Sequence, residues 1–459
     1  MEHKFNPDIL REYDIRGEVN KTIFDQDAKV LGHLIANKLK KNKKVNVCYD
    51  GRHSSVNLKN ALIKGLNESG ANVVEIGLGP TPLLYYSCFV NEAEAGIMVT
   101  GSHNPPSHNG FKIVIDNQPF FGDQIRMLEK DSQKYSLKKK SNTLQMLDVK
   151  TDYLNKLSNS IEQKKPLNIA WDAGNGSTGV IMKKLCKKVN GRQIVMFDKI
   201  DGNFPNHHPD PSEIKNLRDL IYKVKSEKLD FGIAFDGDGD RIGIVDDLGR
   251  PIPGDILLLL FAKDLLKANK NIAIVGDVKC SQIIFDQIKE YGGKAIISKT
   301  GHSLIKECMK KKKAVLGGEM SGHMFFLDKY KGFDDGLYAA VRFINLMSSS
   351  NKKLSDLVDE MPKMYNTPEI RIECDDNEKF NVVEDMIKIQ KKKGNKFIDI
   401  DGIRVNLYDG WFLLRASNTQ PCIVVRCESN TQNGLEKIIN YVKKDLEKIN
   451  KILSDQIKS

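Results

Sequence analysis

The sequence predicts three similar α/β domains with mixed, mainly parallel sheets, followed by a smaller α+β domain at the C-terminus. Three strand-like apolar runs each stop at an aspartate, continue into small residues and lead into a helix-like stretch: residues 45–55, 167–177 and 271–281. Such runs, alternating with helical patterns, are typical of βαβ units and parallel sheets. The aspartates Asp50, Asp172 and Asp277 each lie more than 100 residues from the next. This spacing favours three domains of similar plan over one large sheet.

The last part of the chain follows a different pattern. Strand-like runs such as EIRIEC, GWFLLRAS and PCIVVRCE are grouped together, and one long helical stretch follows them. Apolar residues recur in that stretch at helical spacing: Leu435, Ile438, Ile439, Val442, Leu446, Ile449 and Leu453. Successive strands followed by a helix indicate an α+β domain. We therefore place the four domains at residues 1–147, 148–252, 253–362 and 363–459.

The composition argues against a membrane or secreted protein. The longest apolar run, residues 256–262, is far shorter than the roughly 20 residues that a membrane-spanning helix needs. The N-terminus lacks the basic region and apolar stretch of a signal peptide. Eight cysteines stand singly with no CxxC pair, which favours neither a zinc site nor a disulfide framework. We expect a cytoplasmic protein that does not bind membranes.

The net charge of +11 suits an anionic partner, either nucleic acid or a phosphorylated metabolite. Lysine runs lie at residues 40–44, 138–140 and 310–313, without the interleaved aromatic residues that stack on bases. Such runs usually cover solvated faces. We therefore expect no nucleic-acid partner, and the basic residues that matter are those inside motifs.

The stretch DGDGDR contains Asp236, Asp238 and Asp240, which directly follow an apolar run. Three carboxylates on a glycine-rich turn can point at one centre, where they would repel one another unless a cation neutralised them. A hard divalent cation is the natural ligand, and Mg²⁺ in particular accepts a few carboxylates together with water and phosphate oxygens. The spacing therefore predicts a metal site for phosphoryl transfer.

Three other interpretations of this stretch can be weighed. An EF-hand needs glycine at the sixth loop position and glutamate at the twelfth, where this chain has Arg241 and Asp247. That interpretation fails. A surface hairpin with Asp-Gly turns rarely needs three facing carboxylates. A phosphatase with Asp236 as nucleophile would also use a DxD sequence after a strand, and this alternative stays open.

A second stretch, MVTGSHNPPSHNGFK, contains Ser102 between a glycine and a histidine. A serine hydroxyl is a poor nucleophile unless a base or a metal activates it. Taken alone, the serine of such a stretch is more often a loop hydroxyl or a helix cap than a catalytic group. The stretch by itself leaves both interpretations open.

Together, the two stretches resemble motifs of the α-D-phosphohexomutase family, the phosphoglucomutases and phosphomannomutases. The resemblance covers essentially the whole chain in order. It rests on TGSHNPP at 100–106, DGDGDR at 236–241, GEMSGH at 318–323 and RASNTQP at 415–421, with further matches at YDIRG, GFK, DVKCS and TGHSLIK. Within the family, GEMSGH and RASNT are most similar to the bacterial bifunctional phosphomannomutase/phosphoglucomutases.

The resemblance implies a role for each motif. Ser102 would carry a transferable phosphate, and Asp236, Asp238 and Asp240 would hold one Mg²⁺ per active site together with an oxygen of that phosphoserine. The other catalytic residues implied are Arg16, His103, Lys112 and Arg241. Among these, Arg16 and Lys112 would assist proton transfer at the sugar hydroxyl, a general acid–base role. Arg241 would bond phosphate, and His103 would either transfer a proton or hold the loop.

The remaining motifs would bind the substrate. Glu319 and Ser321 suit hydrogen bonds to neighbouring sugar hydroxyls, O3 and O4, and not to O2, the only position at which glucose and mannose differ. The last loop would clamp a phosphate through Arg415, Ser417, Asn418 and Thr419. Further residues expected near the sugar or its phosphate are Tyr13, Arg16, Lys279, His302 and His323. The C-terminal domain is otherwise poor in chemistry, which fits a lid that closes over the substrate.

The activity implied is the interconversion of hexose 1-phosphates and hexose 6-phosphates of mannose and glucose. It would pass through a phosphoserine enzyme and a hexose 1,6-bisphosphate, with glucose 1,6-bisphosphate as activator and a monomer or weak dimer as the working form. Alternatives are a phosphoglucosamine mutase, a Mg²⁺-dependent sugar-phosphate phosphatase, and a catalytically silent sugar-phosphate-binding protein.

Overall fold

The computed structural model describes residues 2–135, 143–418 and 420–457. The lysine run at 138–140 and the predicted site residue Thr419 lie outside the described residues. Four β-sheets are formed, each by a consecutive stretch of the chain. The first three mix parallel and antiparallel strands, and the fourth is antiparallel, which confirms the predicted fold class.

The first sheet has seven strands in the order β1-β5-β4-β2-β3-β7, with β6 paired to β5. The strands are β1 (Ile15–Glu18), β2 (Lys44–Tyr49), β3 (Asn72–Leu78), β4 (Ala95–Val99), β5 (His108–Ile115), β6 (Gln118–Pro119) and β7 (Leu144–Met146). The helices are α1 (Asp25–Lys38), α2 (Ser55–Glu68), α3 (Thr81–Val90) and α4 (Asp123–Gln133), after a 3₁₀ turn at Pro7–Ile9. The central strands β3, β2 and β4 run parallel, and β5 returns antiparallel to β4.

The second sheet has five strands in the order β12-β11-β10-β8-β9. Its elements are α5 (Lys150–Ser158), β8 (Ile169–Asp172), α6 (Gly179–Cys186), β9 (Gln193–Met196), a 3₁₀ turn at Ile214–Leu217, α7 (Arg218–Ser226), β10 (Phe231–Phe235), β11 (Ile242–Asp246) and β12 (Pro251–Ile252). Strands β9, β8 and β10 are parallel, and β11 and β12 are antiparallel additions.

The third sheet has four strands in the order β14-β13-β15-β16. Its elements are α8 (Gly254–Ala268), β13 (Ala273–Asp277), α9 (Gln282–Glu290), β14 (Lys294–Ser298), α10 (His302–Lys312), β15 (Leu316–Gly318), β16 (Met324–Phe326), α11 (Gly336–Ser349) and α12 (Leu354–Asp359). The apolar run at 256–262 lies in α8, which is apolar on most sides because it is buried in a core shared by the first three sheets. Among the described residues, no helix combines the length and apolar character needed to cross a membrane.

The fourth sheet has six strands in the order β17-β22-β21-β20-β19, with β18 paired to β22. Its elements are β17 (Tyr365–Asn366), β18 (Ile370–Glu373), α13 (Lys379–Lys392), β19 (Phe397–Ile398), β20 (Ile403–Leu407), β21 (Gly410–Ala416), β22 (Cys422–Ser429), α14 (Gln432–Ile449) and α15 (Lys451–Asp455). We call residues 363–457 the C-terminal unit. It has an apolar core of its own, separate from that of the first three sheets.

The prediction of one long terminal helix is wrong in one respect, because the helix is divided. At Asn450 the backbone is extended, with φ −157° and ψ 113°, and the Asn450 side chain accepts the N–H groups of Ile452 and Leu453. An asparagine that caps a new helix competes with continuation of the old one. Leu453 continues the apolar pattern but lies in α15.

The C-terminal unit contacts the third sheet through a small, mixed interface. Val278, Trp411 and Leu413 form a separate apolar cluster there. The guanidinium of Arg404 lies 3.7 Å from the centre of the Trp411 ring and donates to the carbonyl of Val278 at 2.7 Å. The Trp411 indole N–H donates to Glu428 at 2.8 Å. This interface holds the last sheet beside the loops that follow β13 and β14.

The three predicted strand-ending aspartates occupy equivalent turns. Asp50 directly follows β2, and Asp172 and Asp277 end β8 and β13. Each carboxylate accepts the backbone N–H two residues further on, at 3.1, 2.8 and 2.9 Å respectively. The turns therefore have the same local design in all three sheets, and they carry the chain toward the loops that form the candidate site.

Candidate active site

Ser102 lies in the loop between β4 and β5, where it is almost fully buried and has φ 50°. A left-handed backbone is uncommon for a serine and marks a constrained loop. Its hydroxyl donates to Asp236 Oδ2 at 2.9 Å, and its Oγ lies 3.3 Å from His103 Nδ1. The structure thus brings the two sequence stretches together, because Ser102 contacts the first aspartate of residues 236–241, which we call the acidic loop.

Arg52 holds the serine loop in place and was missed by the sequence reasoning. Its buried guanidinium donates to the backbone carbonyls of Ser102 at 2.7 Å, Asn104 at 2.6 Å and Pro105 at 2.6 Å. Four carbonyl bonds are made in all, the last to His108. Burial lowers the pKa of Arg52, although the Asp50 carboxylate opposes this effect. One arginine therefore satisfies several carbonyls of a loop that forms no regular secondary structure.

Asp236, Asp238 and Asp240 follow β10 directly and are fully buried. A carboxylate oxygen of each lies within 4.8 Å of one from each of the others. Among the described residues, Asp238 Oδ1 and Asp240 Oδ1 have no hydrogen-bond partner. Unpartnered buried carboxylate oxygens are costly unless something else satisfies them. Three converging carboxylates beside a hydroxyl fit a hard divalent cation.

Lys112, on β5, partly neutralises this cluster. Its Nζ donates to Asp238 Oδ2 at 2.7 Å and also forms an ion pair with Asp240. Burial and the neighbouring carboxylates raise the pKa of Asp236 well above its ordinary value. Burial would also raise the pKa of Asp238, but the charge and hydrogen bond of Lys112 hold it below its usual range. Burial alone would lower the pKa of Lys112, yet the aspartates raise it, so the amine keeps its proton.

The two predicted arginines flank the serine. Arg16 Nη1 donates to Asn104 in the serine loop at 2.9 Å and pairs with Asp14. The backbone N–H of Arg241 donates to Asp236 Oδ1 at 3.1 Å, and its Nε donates to His323 at 3.1 Å. Burial lowers the pKa of His103, and the cationic side chains nearby lower it further. The two arginines therefore place positive charge beside the serine loop and the acidic loop, whereas burial favours the neutral form of His103.

The GEMSGH loop joins β15 to β16 and faces the same cleft. Glu319 Oε1 accepts the backbone N–H of Gly301 at 2.6 Å, and the Ser321 hydroxyl donates weakly to Glu319 Oε2 at 3.4 Å. The ring of His323 stacks on that of His302 at 5.5 Å between centroids. Through its contact with Arg241, the loop lies next to the acidic loop.

Behind these histidines lies a buried carboxylate that the sequence reasoning also missed. Asp334 Oδ2 lies 3.2 Å from His323 Nδ1 and 3.4 Å from His302 Nδ1, and Asp334 Oδ1 lies 2.5 Å from Lys306 Nζ. Burial would raise the pKa of Asp334, but the Lys306 charge and the two histidines lower it well below its usual range. Burial lowers the pKa of His302. Asp334 therefore lies against both imidazoles and pairs with the Lys306 ammonium.

The last predicted loop closes the cleft from the C-terminal unit. Arg415 is buried at the end of β21, and its Nε donates to Asp401 at 3.1 Å. The Asn418 amide donates to the Tyr13 hydroxyl at 2.6 Å, which in turn donates to the carbonyl of Thr300 at 2.6 Å. Ser417 begins the loop after Arg415 and accepts a backbone N–H through its hydroxyl.

Lys279, predicted to approach the substrate, forms an ion pair with Glu369 of the C-terminal unit at 2.9 Å. Burial would lower the pKa of Lys279, but Glu369 raises it. Lys279 lies on the turn after β13, and Glu369 immediately precedes β18. The pair therefore bridges the third sheet and the C-terminal unit at the edge of the cleft.

The predicted residues that the structure describes thus surround one cleft, linked by the contacts above. The residues missed from the sequence are Arg52, Lys306, Asp334, Glu369 and Asp401. Two of them had a local signal: Arg52 lies two residues after Asp50 in a strand-ending turn, and Lys306 ends the TGHSLIK stretch. Asp334, Glu369 and Asp401 act on partners in distant parts of the chain, so no local pattern could have found them.

Four family profiles match the chain in succession. The phosphoglucomutase/phosphomannomutase α/β/α domain I matches residues 7–139, domain II 151–249, domain III 253–365, and the C-terminal domain 369–444. Together they span most of the chain and follow the order of the four sheets.

Individual proteins are similar over the same length. A phosphomannomutase/phosphoglucomutase from Pseudomonas syringae pv. tomato is 43% identical over 96% of this chain and 95% of its own. A phosphoglucomutase from Neisseria gonorrhoeae is 40% identical over 96% of this chain and 97% of its own. The crystal structure of a phosphoglucomutase/phosphomannomutase family protein from Burkholderia thailandensis superimposes with a TM-score of 0.91. It has 36% identity and covers 97% of this chain and 98% of its own.

Proposed function

The chain belongs to the phosphoglucomutase/phosphomannomutase family, a family of isomerases, and from that premise we propose that it interconverts the 1- and 6-phosphates of glucose and mannose. One observation supports the proposal above the others. The hydroxyl of Ser102 hydrogen-bonds to the first of three buried, converging aspartates. This is the arrangement that a serine needs to receive and return a phosphoryl group.

Ser102 acts as the phosphoryl carrier in this proposal. Phosphorylated Ser102 donates its phosphoryl group to one end of a hexose monophosphate, and the Ser102 oxygen is the leaving group. The resulting hexose 1,6-bisphosphate turns end for end within the cleft. Its other phosphate is then transferred back to Ser102, so that the product leaves and the enzyme is restored. Glucose 1,6-bisphosphate would activate an unphosphorylated enzyme by supplying the first phosphoryl group.

Asp236, Asp238 and Asp240 would hold one Mg²⁺, together with an oxygen of phosphorylated Ser102. When bound, that cation neutralises charge on the transferring phosphoryl oxygens. The chain adds cations of its own, because Arg241 lies beside Asp236 and Lys112 spans Asp238 and Asp240. These groups are fixed by burial and hydrogen bonds before substrate arrives, as electrostatic stabilisation requires.

Proton transfer at the sugar hydroxyl falls to groups around Ser102. Lys112 and Arg16 lie on adjacent strands, β5 and β1, and both side chains reach the serine or acidic loop. We propose that they assist proton transfer at the sugar hydroxyl that accepts or releases the phosphoryl group. His103 lies within contact distance of the Ser102 hydroxyl and either shares this role or fixes the loop.

Substrate recognition would use the other two loops. Glu319 and Ser321 would bond two adjacent sugar hydroxyls, and His302, His323 and Lys279 would line the sugar and its phosphate. The phosphate that is not being transferred would be bound by Arg415, Ser417 and Asn418, with Thr419 as a further candidate and Tyr13 at the junction. Because both phosphates must occupy this place in turn, the cleft must accept the sugar in either orientation.

A phosphatase with Asp236 as nucleophile is less well supported. One oxygen of Asp236 accepts the Ser102 hydroxyl and the other accepts the N–H of Arg241. The Ser102 hydroxyl is thus the group that lies against Asp236, and the relatives described above are named as mutases.

We further propose a cytoplasmic enzyme that works as a monomer or weak dimer, with domain boundaries near residues 148, 253 and 363.

One sample followed by phosphorus NMR tests the function. It contains the enzyme, Mg²⁺, a trace of glucose 1,6-bisphosphate, and the 1-phosphates of mannose, glucose and glucosamine. Conversion of the mannose and glucose esters to 6-phosphates is expected. Reaction of the glucosamine ester alone would make the protein a phosphoglucosamine mutase. Free phosphate without 6-phosphates would indicate a phosphatase, and no reaction at all would leave a binding protein.

A further inference from the structure

A tight turn places a carboxylate beside the phosphate-binding arginine. Asp401 and Gly402 immediately precede β20, and β20 pairs antiparallel with β21 so that Ile403 lies opposite Leu414. Gly402 has φ 72°, and a Cβ atom there would lie 2.4 Å from the Leu414 carbonyl and 2.5 Å from Arg415 Cβ. Only glycine fits so close to the neighbouring strand. The turn therefore packs directly against Arg415.

The Asp401 carboxylate makes two contacts through one oxygen. Oδ2 accepts Arg415 Nε at 3.1 Å and the backbone N–H of Thr300 at 3.0 Å. Within the described part of the chain, Arg415 forms its side-chain hydrogen bond through Nε. A guanidinium held at Nε presents its two terminal amino groups in one plane, which is the geometry for bidentate phosphate binding.

Thr300 belongs to a turn that contacts Tyr13, Glu319 and Asp401, three residues at the proposed substrate site. The peptide that joins Thr300 to Gly301 accepts the Tyr13 hydroxyl through its carbonyl and donates its N–H to Glu319, both at 2.6 Å. Gly301 has φ 126°, and a Cβ there would lie 2.5 Å from the Tyr13 ring. Two consecutive N–H groups of this turn thus donate to Asp401 of the C-terminal unit and to Glu319 of the GEMSGH loop.

We propose that Asp401 is a positioning residue for Arg415. It orients the guanidinium toward the phosphate that is not being transferred, and its bond to Thr300 allows that orientation only when the C-terminal unit lies against the third sheet. The inference rests on the proposed function, in which Arg415 binds that phosphate. It adds a residue that acts through the arginine and does not itself touch substrate.

The sign of the effect separates this role from simple electrostatics. A carboxylate near a phosphate site repels the dianion, so removing its charge would by itself strengthen phosphate binding. If Asp401 orients Arg415, the same substitution frees the guanidinium and weakens binding. Asp401→Ala, which removes both the charge and the acceptor oxygen, therefore gives opposite results under the two interpretations.

The experiment measures binding of inorganic phosphate and of glucose 1-phosphate to the full chain by calorimetry, alongside mutase kinetics. For Asp401→Ala we expect dissociation constants and KM to rise by about tenfold or more, with a smaller change in kcat. Asp399→Ala is the matched control, because Asp399 is an exposed carboxylate of the same turn region. Unchanged or tighter phosphate binding in Asp401→Ala would overturn the proposal.

A double-mutant cycle excludes a merely structural role. In an Arg415→Ala background, Asp401→Ala should change phosphate binding by less than about twofold, because the residue through which it acts is gone. An undiminished effect in that background would refute the inference. If Asp401→Ala does not fold, Asp401→Leu makes the same comparison. Phosphate binding needs no turnover, so wild-type enzyme that binds phosphate but isomerises nothing would count against the proposed function and leave this test intact.

Discussion

At the scale of single residues, Ser102 is the proposed phosphoryl carrier, and Arg52 holds its loop in place. We predict that Ser102→Ala lowers mutase turnover by about a thousandfold or more, because no other hydroxyl lies against Asp236 in the described part of the chain. Binding of glucose 1-phosphate should survive, since the residues proposed to bind it remain. Ser107→Ala, an exposed serine of the same loop, should keep normal turnover. Full turnover in Ser102→Ala would rule out a phosphoserine intermediate.

His207 provides a test of pH-dependent stability away from the acidic loop. Its Nε2 lies 2.9 Å from Asp172 Oδ2. Burial lowers the pKa of His207, but the hydrogen bond and charge of Asp172 outweigh burial and raise it above 6.5. A raised folded-state pKa stabilises the protein fully below the unfolded value, and this stabilisation is lost as pH rises through the folded value.

The free energy of unfolding should therefore contain a component that declines from about pH 6.5 upward. Urea denaturation at several pH values between 6 and 9 would measure it. In His207→Gln this decline should be smaller than in the wild type. Identical pH profiles for the two proteins would show that the pair does not titrate in this range.

Residues also show where sequence reasoning reaches its limit. The three aspartates of the acidic loop could be predicted from their spacing, because carboxylates two residues apart directly after a strand indicate a metal site. Asp334 and Asp401 could not be predicted, because the role of each depends on a partner in another segment. The partner of Asp334 is His302, and the partners of Asp401 are Arg415 and Thr300. Asp334 stands beside Asp335 before a glycine, and Asp401 precedes Gly402, which by themselves are typical of turns.

At the scale of elements, the turn between β14 and α10 is joined by hydrogen bonds to Tyr13, Glu319 and Asp401. We predict that Gly301→Ala weakens hexose-phosphate binding and lowers the free energy of unfolding by about 1–3 kcal/mol more than Gly394→Ala. Both glycines have positive φ, but a Cβ at Gly301 would strike the Tyr13 ring, whereas one at Gly394 meets nothing within 4 Å. Thermal or urea denaturation with KM measurements would decide. Equal effects at the two sites would mean that Tyr13 simply moves aside.

Elements with strong periodicity were the predictable ones. The strands that end at Asp50, Asp172 and Asp277 are buried and rich in apolar residues, so their pattern survives in the fold. The division of the last helix was missed because the spacing from Ile449 to Leu453 continues the helical pattern across the break. The capping asparagine, Asn450, interrupts the backbone without interrupting that apolar pattern.

At the scale of the whole molecule, the proposed metal ligands come from two different sheet regions. Ser102 belongs to the first sheet region and Asp236, Asp238 and Asp240 to the second. We predict that Mg²⁺ raises the thermal unfolding temperature by mass action on the folded state and that a chelator abolishes turnover until Mg²⁺ is restored. Asp238→Asn should lose most of the thermal shift, and Asp399→Asn should keep it. A shift of the same size in Asp238→Asn would place the cation elsewhere.

The fold class could be predicted from the sequence because one design, strand, aspartate and helix, is repeated three times. The way in which the four sheets meet could not. Tyr13 and Asn418 lie near opposite ends of the chain and share a hydrogen bond, and no local pattern encodes such a contact. The family resemblance, not the periodicity, supplied the expectation that these loops share one cleft. The domain boundaries stay predictions.

The position of Trp411 gives the protein an optical property. The chain has two tryptophans. Trp171 is enclosed in the large shared core, whereas Trp411 lies in the thin seam between the C-terminal unit and the third sheet, covered by Arg404. Separation of that seam would bring the second indole into water and move its fluorescence emission to longer wavelength, while the first would stay unchanged. The protein therefore contains an intrinsic reporter of contact between the C-terminal unit and the third sheet, which can be followed in real time without any label.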